Sequence, residues 1–274
     1  MIIEWQLMNG AKEGSSVNLQ RIRHRLRKSL AQKGAAGTAA MLFQRALRRH
    51  PKLVHPPKTY VAVHPFDEQF GVETSGLLFA EDLPSGSKRD LNNNGYFGIA
   101  PSVLRQILHR LPLDFEKFSF IDLGSGKGRA LLIASEYPFQ SITGVELSPK
   151  LHAISLANVA AFTGPRRCQE VRSLCGDATE FRFPSGPLLV YLWNSFDGQV
   201  FAAVLANLEA SLAREPREIF IIYIEPNFDA LLEASNAWRK LWRAAFRMSD
   251  EDYAACAFPP RAETCSAYRS VLPG

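Results

Sequence analysis

Short strand-like runs recur between residues 119 and 224, and all but the third are followed by a stretch with apolar positions at helical spacing. The runs predict five β-strands, at residues 119–123, 141–146, 170–175, 188–193 and 218–224. The intervening stretches predict helices at residues 129–135, 149–162, 200–213 and 228–237, with an earlier helix at 101–111. Strands separated by helices of this length pair in parallel, because the crossover connection needs the helix. The pattern therefore predicts a doubly wound α/β sheet.

The alternation of strand and helix patterns does not continue into the last part of the chain. Residues 239–248 and 266–272 carry alternating or β-prone side chains, joined by a stretch rich in turn residues. We expect an antiparallel pair of strands at one edge of the sheet.

A glycine-rich turn links the first strand to its helix. Gly124, Gly126 and Gly128 allow the sharp turn and leave backbone bare where a ligand comes close. The following helix directs unpaired N–H groups at whatever lies above the strand end. A dinucleotide fingerprint would place its third glycine at position 129, which is Arg129. The actual order, from Asp122 onward, is D-x-G-x-G-x-G.

Acidic residues end the next two strands, at the sheet edge where ligands of such folds bind. Glu146 ends the second strand in GVELSP, and a carboxylate there can accept hydrogen bonds from ribose hydroxyls. Asp177 and Ala178 follow the third strand in LCGDATEF, and the fourth strand ends in YLWNSFD.

These strand ends resemble the motifs of class I S-adenosylmethionine-dependent methyltransferases over roughly residues 90–248, and more narrowly an uncharacterised bacterial group of them. The resemblance implies a Rossmann-like, seven-stranded sheet with a reversed last strand, and S-adenosyl-L-methionine as cofactor. It also implies the cofactor-binding residues Tyr96, Asp122, Gly124, Ser125, Gly126, Gly128, Glu146, Leu147, Asp177, Ala178 and Asn194. In that family Tyr96 would lie over the cofactor; alternatively, it packs the helix at 101–111 onto the sheet.

The resemblance also suggests which chemical group receives the methyl group. Asn194 and Phe196 follow part of the motif with which amine methylases hold a nitrogen, although Ser195 replaces its proline. The catalytic candidates are therefore Asn194, Phe196 and Glu225, and Glu225 would accept the proton of an amine such as a protein lysine. Other acids that could serve are Asp197 and Glu73. We expect Lys127 and Arg129 to face solvent.

Charged residues are distributed unevenly along the chain. Residues 14–66 hold eleven of the 32 Lys and Arg residues and no Asp or Glu. The rest of the chain therefore holds 21 basic and 27 acidic residues. The basic region predicts a basic, helical N-terminal extension over residues 1–57, with helices at about 17–32 and 37–50. It could be a solvated docking face, an attachment to nucleic acid or another acidic partner, or an organelle transit peptide.

The remainder, residues 58–274, predicts one catalytic domain in which residues 58–100 form a cap or lid. Nothing in the sequence suggests a membrane span, a secretory signal or a metal-ligand cluster, so we expect a cytoplasmic protein without metal. Two alternatives to an amine methylase stay open. One is methylation of RNA or a small molecule, and the other is a cofactor-binding or RNA-binding protein that has this fold without turnover.

Overall fold

The computed structural model describes residues 63–78, 83, 95–255 and 261–272. The predicted helices at about 17–32 and 37–50, the basic extension over residues 1–57, and residues 58–62, 79–82 and 84–94 of the expected cap lie outside the described residues. Within them, a seven-stranded sheet has the order β3-β2-β1-β4-β5-β7-β6. Its strands are β1 (Ser119–Leu123), β2 (Ser141–Glu146), β3 (Val171–Cys175), β4 (Leu188–Trp193), β5 (Ile219–Ile224), β6 (Trp238–Arg247) and β7 (Ala262–Ser270).

Strands β1 to β5 pair in parallel, and β7 pairs antiparallel with both β5 and β6. The predicted doubly wound sheet with a reversed last strand is thereby confirmed. The last strand in the chain lies inside the sheet, between β5 and the edge strand β6. This order places the start of β7 at the same edge as the carboxyl ends of the parallel strands.

Seven α-helices accompany the sheet in the described part of the chain. They are α1 (Pro65–Phe70), α2 (Pro101–Arg110), α3 (Arg129–Ala134), α4 (Pro149–Ala161), α5 (Gly198–Arg214), α6 (Asp229–Glu233) and α7 (Asp250–Ala255). Two apolar cores form on opposite faces of the sheet: α2 and α3 contribute to one, and α5 and α6 to the other. Strands β1, β4 and β5 are buried on both sides, which explains their continuous apolar runs.

Two helices lie where the sequence predicted irregular chain. Pro65 opens α1, and the side chain of His64 accepts a hydrogen bond from the N–H of Phe66. Helix α7 follows β6 and begins with acidic residues, which suit a helix N-terminus. Each has only six residues, too few for a helical period to show in the sequence. Helix α6 is shorter than predicted and ends at Glu233.

The glycine turn brings two strand ends into contact. Gly124 has φ +84°, and a Cβ atom there would lie 2.5 Å from both Cβ and Oγ of Ser195, in the turn after β4. Since Ser195 Cβ cannot move without its backbone, only glycine fits this position. The turns after β1 and β4 are therefore held against each other.

We expect Gly124→Ala to destabilise the protein more than Gly186→Ala. Gly186 has nearly the same φ, +81°, but has nothing within 4 Å of the added atom. Both variants incur the strain of an L-residue at positive φ, roughly 1–2 kcal/mol, and Gly124→Ala adds overpacking of roughly 1–3 kcal/mol. Urea unfolding of the two variants measures the difference. Equal losses of unfolding free energy would show that the contact with Ser195 is not a constraint.

Candidate active site

A cleft opens at the carboxyl edge of the parallel strands, with about 940 Å³ of empty space counted out to its open mouth. Its walls come from the turns after β1, β2, β3 and β4 and from the segment before α2. Nine of the predicted cofactor-binding residues line it: Tyr96, Asp122, Gly124, Ser125, Gly126, Glu146, Leu147, Asp177 and Ala178.

Two predicted cofactor residues do not line the cleft. Gly128 precedes α3 in a left-handed conformation, and a Cβ there would lie 2.5 Å from Ser155 Oγ of α4. It thus sets how closely the two helices approach. Asn194 also has a left-handed backbone, φ +39°, and the residues on either side of it, Trp193 and Ser195, form part of the wall.

Two buried carboxylates face this cleft. Asp122 is 3% exposed and Glu146 is 7% exposed. Burial, and then the charge of Glu146, raises the pKa of Asp122 well above its usual range. Burial also raises the pKa of Glu146, although hydrogen bonds donated by backbone N–H groups partly oppose this. No positively charged side chain among the described residues offsets either effect.

Glu146 shapes the glycine turn. One of its carboxylate oxygens accepts from the N–H of Gly126 at 2.8 Å, and the other accepts from the N–H of Ser148 at 2.8 Å. The carboxylate is thus fixed between the turns after β1 and β2. Since each oxygen has a second lone pair, it can still accept a hydrogen bond from a ligand.

The turn after β3 forms the other end of the cleft. Asp177 accepts hydrogen bonds from the N–H and the hydroxyl of Thr179, at 2.9 and 2.7 Å. These bonds hold a short 3₁₀ turn, Ala178–Glu180, in place. A Cβ atom on the adjacent Gly176 would meet nothing within 4 Å, so the backbone here is open to the cleft.

Tyr96 lines the cleft and packs on the glycine turn, in an apolar cluster with Leu83 and Leu151. Its expected place over the cofactor stays a prediction. A Cβ on Gly126 would lie 2.3 Å from its ring. The Tyr96 hydroxyl donates a hydrogen bond to the carbonyl of Thr74 at 2.6 Å. The ring is therefore held rigidly against the turn.

The expectation that Lys127 and Arg129 face solvent is wrong. Both are 5% exposed. Lys127 Nζ donates to Glu73 Oε1 at 2.9 Å and to the Ser75 carbonyl at 2.8 Å. Arg129 donates to Thr74 Oγ1 at 2.6 Å and to Ser75 Oγ at 3.2 Å. Sequence reasoning missed this because the partners lie more than 50 residues earlier in the chain.

The three catalytic candidates do not lie together in the cleft wall. Phe196 lines the cleft. Glu225 is exposed and lies outside the lining; its carboxylate accepts from the Thr264 N–H at 2.7 Å and so joins the ends of β5 and β7. Asp197 accepts from two N–H groups at the start of α5, while Glu73 pairs with Lys127.

The sequence analysis did not identify two buried groups that lie near the cleft. Tyr191 of β4 lines the cleft, and Glu263 opens β7 at the same sheet edge. Burial, followed by the charge of Glu225, raises the pKa of Glu263 to about 8, while a hydrogen bond from the Ala100 N–H opposes this. Tyr191 lies in an apolar strand that is buried on both faces, so no sequence pattern distinguishes it from an ordinary core tyrosine.

The described residues contain no group of three or more His, Cys, Asp or Glu arranged to hold a metal ion. None of the helices in the described ranges is long and apolar enough to cross a membrane.

No family model matches this chain, and no curated protein sequence matches it. Solved structures are similar to it at low identity. The glycopeptide N-methyltransferase MtfA is 12% identical, over 64% of this chain and 96% of that one, with a TM-score of 0.46. A ribosomal protein L11 methylase from Lactobacillus delbrueckii is 10% identical, over 62% and 78%, with a TM-score of 0.42. A SAM-dependent methyltransferase of Leishmania major is 12% identical, over 61% and 70%, with a TM-score of 0.44.

All three TM-scores lie below 0.5, so nothing about the activity of this chain follows from them. Its own sheet order, with β7 reversed between β5 and β6, is that of the class I methyltransferase fold.

We expect the stability of the protein to fall as pH rises from about 4.5 towards 8, because the folded state keeps a proton on Glu263 that the unfolded chain has released. Glu263→Gln stays uncharged, so at pH 8 it should be more stable than wild type by on the order of 1 kcal/mol or more. Urea unfolding at several pH values measures this. Glu116→Gln, an exposed carboxylate, is the control and should change nothing; a Glu263→Gln curve parallel to wild type would contradict the assignment.

Proposed function

We propose that this protein transfers a methyl group from S-adenosyl-L-methionine. The observation that supports this most is the pair of buried carboxylates, Asp122 and Glu146, in a cleft where no cation among the described residues offsets the effect of burial on either pKa. Burying such charges unpaired is costly. A ligand with a positive ammonium and a positive sulfonium group offsets that cost, and S-adenosylmethionine carries both.

One of these carboxylates disfavours a dinucleotide. A pyrophosphate at the glycine turn would lie beside the buried Asp122, and like charges repel strongly in a buried site. The cations nearest in sequence, Lys127 and Arg129, already donate to the segment at 73–75. A cationic nucleoside therefore fits this chain better than NAD.

The remaining residues of the cleft fit the nucleoside part of that cofactor. Glu146 retains acceptor capacity for ribose hydroxyls, and Asp177 and Ala178 line the part of the cleft where we place the adenine base. When bound, the cofactor supplies an activated methyl group on sulfur. The protein aligns the acceptor with that methyl group and excludes water, which supplies most of the rate enhancement in such a displacement.

As acceptor we propose an amine. The wall beside the turn after β4 carries the rings of Phe97, Trp193 and Phe196, and the rings of Phe97 and Trp193 meet edge to face with centroids 5.6 Å apart. Aromatic faces favour a cationic or partly charged nitrogen. Glu225 lies outside this wall, so we assign it no proton transfer; a nitrogen that enters a dehydrated cleft loses its proton more readily.

RNA or a small molecule remains the alternative acceptor, since residues 14–66 could attract an acidic partner. Transfer of a tritiated methyl group to size-fractionated cell extract distinguishes these. We expect label in protein or in small amines. Label confined to RNA would contradict the proposal that the methyl acceptor is an amine of a protein or a small molecule. Binding of the cofactor with no label in any fraction would favour a protein without turnover.

Glu146→Ala and Asp177→Ala should each weaken binding of S-adenosylmethionine by roughly 1–3 kcal/mol, because each strands a hydrogen-bonding group of the ligand. Isothermal titration calorimetry measures this. The matched control is Glu170→Ala, which removes a half-exposed carboxylate paired with Arg172 ahead of β3, remote from the cleft lining. If both cleft variants bind as tightly as the control, the cofactor lies elsewhere.

A further inference from the structure

A second, smaller cavity lies beside the active-site cleft. Its lining comes from the start of α1, from the segment before α2, and from the chain between the end of β6 and the end of α7. Phe97 and Gly98 line both the cavity and the cleft. The two spaces therefore share one wall, and a ligand group in the cavity lies close to whatever occupies the cleft.

A buried carboxylate lines this cavity. Asp252 of α7 is 4% exposed, and its Oδ2 accepts a hydrogen bond from the Ser102 N–H at 2.7 Å. Its Oδ1 lies 3.3 Å from Nε2 of His64. Burial raises the pKa of Asp252, but the groups of His64 and Ser102 outweigh this effect and hold the pKa below its usual range. The carboxylate is therefore ionised, and each oxygen keeps a lone pair for a further donor.

The described residues that line the cavity leave this negative charge without a matching cation. Nδ1 of His64 accepts a hydrogen bond from the Phe66 N–H, so this nitrogen carries no proton and the imidazole is neutral. Arg129 is the only Lys or Arg among these lining residues. Its guanidinium group donates to Ser75 Oγ at 3.2 Å and lies 3.7 Å from Oδ1 of the buried Asp67, which matches its charge.

A second carboxyl group lies against the same wall. Ala100 lines the cavity, and its N–H donates a hydrogen bond to Glu263, whose Oε2 has no hydrogen-bond partner among the described residues. Burial, and then the charges of Glu225 and Asp252, raise the pKa of Glu263. A positive group in the cavity would offset the repulsion among these carboxyl groups. The ring of Phe97 in the shared wall also favours a cation.

We propose that this cavity binds an ammonium group of the methyl acceptor, paired with Asp252, and that this group is not the nitrogen that receives the methyl group. A nitrogen paired with an ionised carboxylate keeps its proton, so it has no lone pair with which to attack. The reacting nitrogen lies uncharged in the adjoining cleft. This inference rests on the proposed function, and it specifies the acceptor as an amine that carries a second, positively charged nitrogen.

Matched pairs of amines test the proposal by titration calorimetry, on protein saturated with S-adenosylhomocysteine, the product that transfer leaves in the cleft. Diamines with three to six carbons are compared with the monoamine of the same length. The peptide acetyl-Lys-Lys-Lys-amide is compared with acetyl-Ala-Lys-Ala-amide. Wild-type protein should bind the member with more amines about tenfold more tightly in at least one pair, the effect of one further hydrogen bond between charged groups. A preference confined to the peptide pair assigns the acceptor to proteins, and one confined to the diamines assigns it to small molecules.

Asp252→Asn should reduce this ratio of affinities to about one, because it removes the charge that holds the second ammonium group. The matched control is Asp250→Asn. Asp250 lies on the same helix, but its side chain is 93% exposed and pairs with Arg261. The control should keep the ratio of the wild-type protein.

A second variant places a positive charge in the cavity. Ala255 lines the cavity at the end of α7 and is half-buried, so Ala255→Lys supplies an ammonium group of its own and should also reduce the ratio to about one. This variant keeps the test decisive if Asp252→Asn does not fold. Its control is Ala254→Lys, at the neighbouring exposed position outside the cavity lining, which should leave the ratio unchanged.

A ratio near one for every pair in the wild-type protein would overturn the subsite, as would a lack of binding by all the amines. A tenfold preference that persists in both Asp252→Asn and Ala255→Lys would show that the second ammonium group binds elsewhere, and would overturn it too. If the wild-type protein fails to bind S-adenosylhomocysteine and S-adenosylmethionine, the proposed function itself is overturned, and the subsite with it.

Discussion

The structure depends on keeping two carboxylates buried at the carboxyl edge of its sheet. Asp122 and Glu146 end neighbouring strands, and burial raises the pKa of each. Folding therefore works against ionisation of both groups. Perturbed carboxylates in a cleft are typical of ligand sites, and in the function proposed above a cationic ligand compensates their charge.

The surrounding chain holds these carboxylates in place. Glu146 is fixed by N–H groups from two turns. The glycine turn is held on its outer side by the segment at 64–75, to which Lys127 and Arg129 donate. Asn158 of α4 ties the same segment to the carbonyl of Lys127. The segment expected to be part of a cap thus serves as a support for the glycine turn.

The sequence predicted the sheet almost completely. Strands β1, β4 and β5 are buried on both faces, so they appear as uninterrupted apolar runs bounded by turn residues. The bounds of β1, β2 and β4 agree with the predicted ranges. Most of the predicted cofactor-binding residues line the cleft, because residues at the ends of parallel strands must meet at one edge.

What the sequence could not predict depends on contacts between distant residues. Lys127 and Arg129 look like solvated cations until the segment at 73–75 folds over them. Glu225 follows β5 as a catalytic acid would, yet the antiparallel approach of β7 offers it a backbone N–H instead. Tyr191 becomes a candidate ligand contact only when register places it beside Asp122.

The central claim is that the buried carboxylate pair recognises a sulfonium nucleoside, and a crystal structure of the protein with S-adenosylmethionine tests it most directly. The account predicts the amino-acid end beside Asp122, the ribose at Glu146 and the adenine at Asp177. A ligand bound at another surface, or density absent from the cleft at saturating concentration, would contradict it.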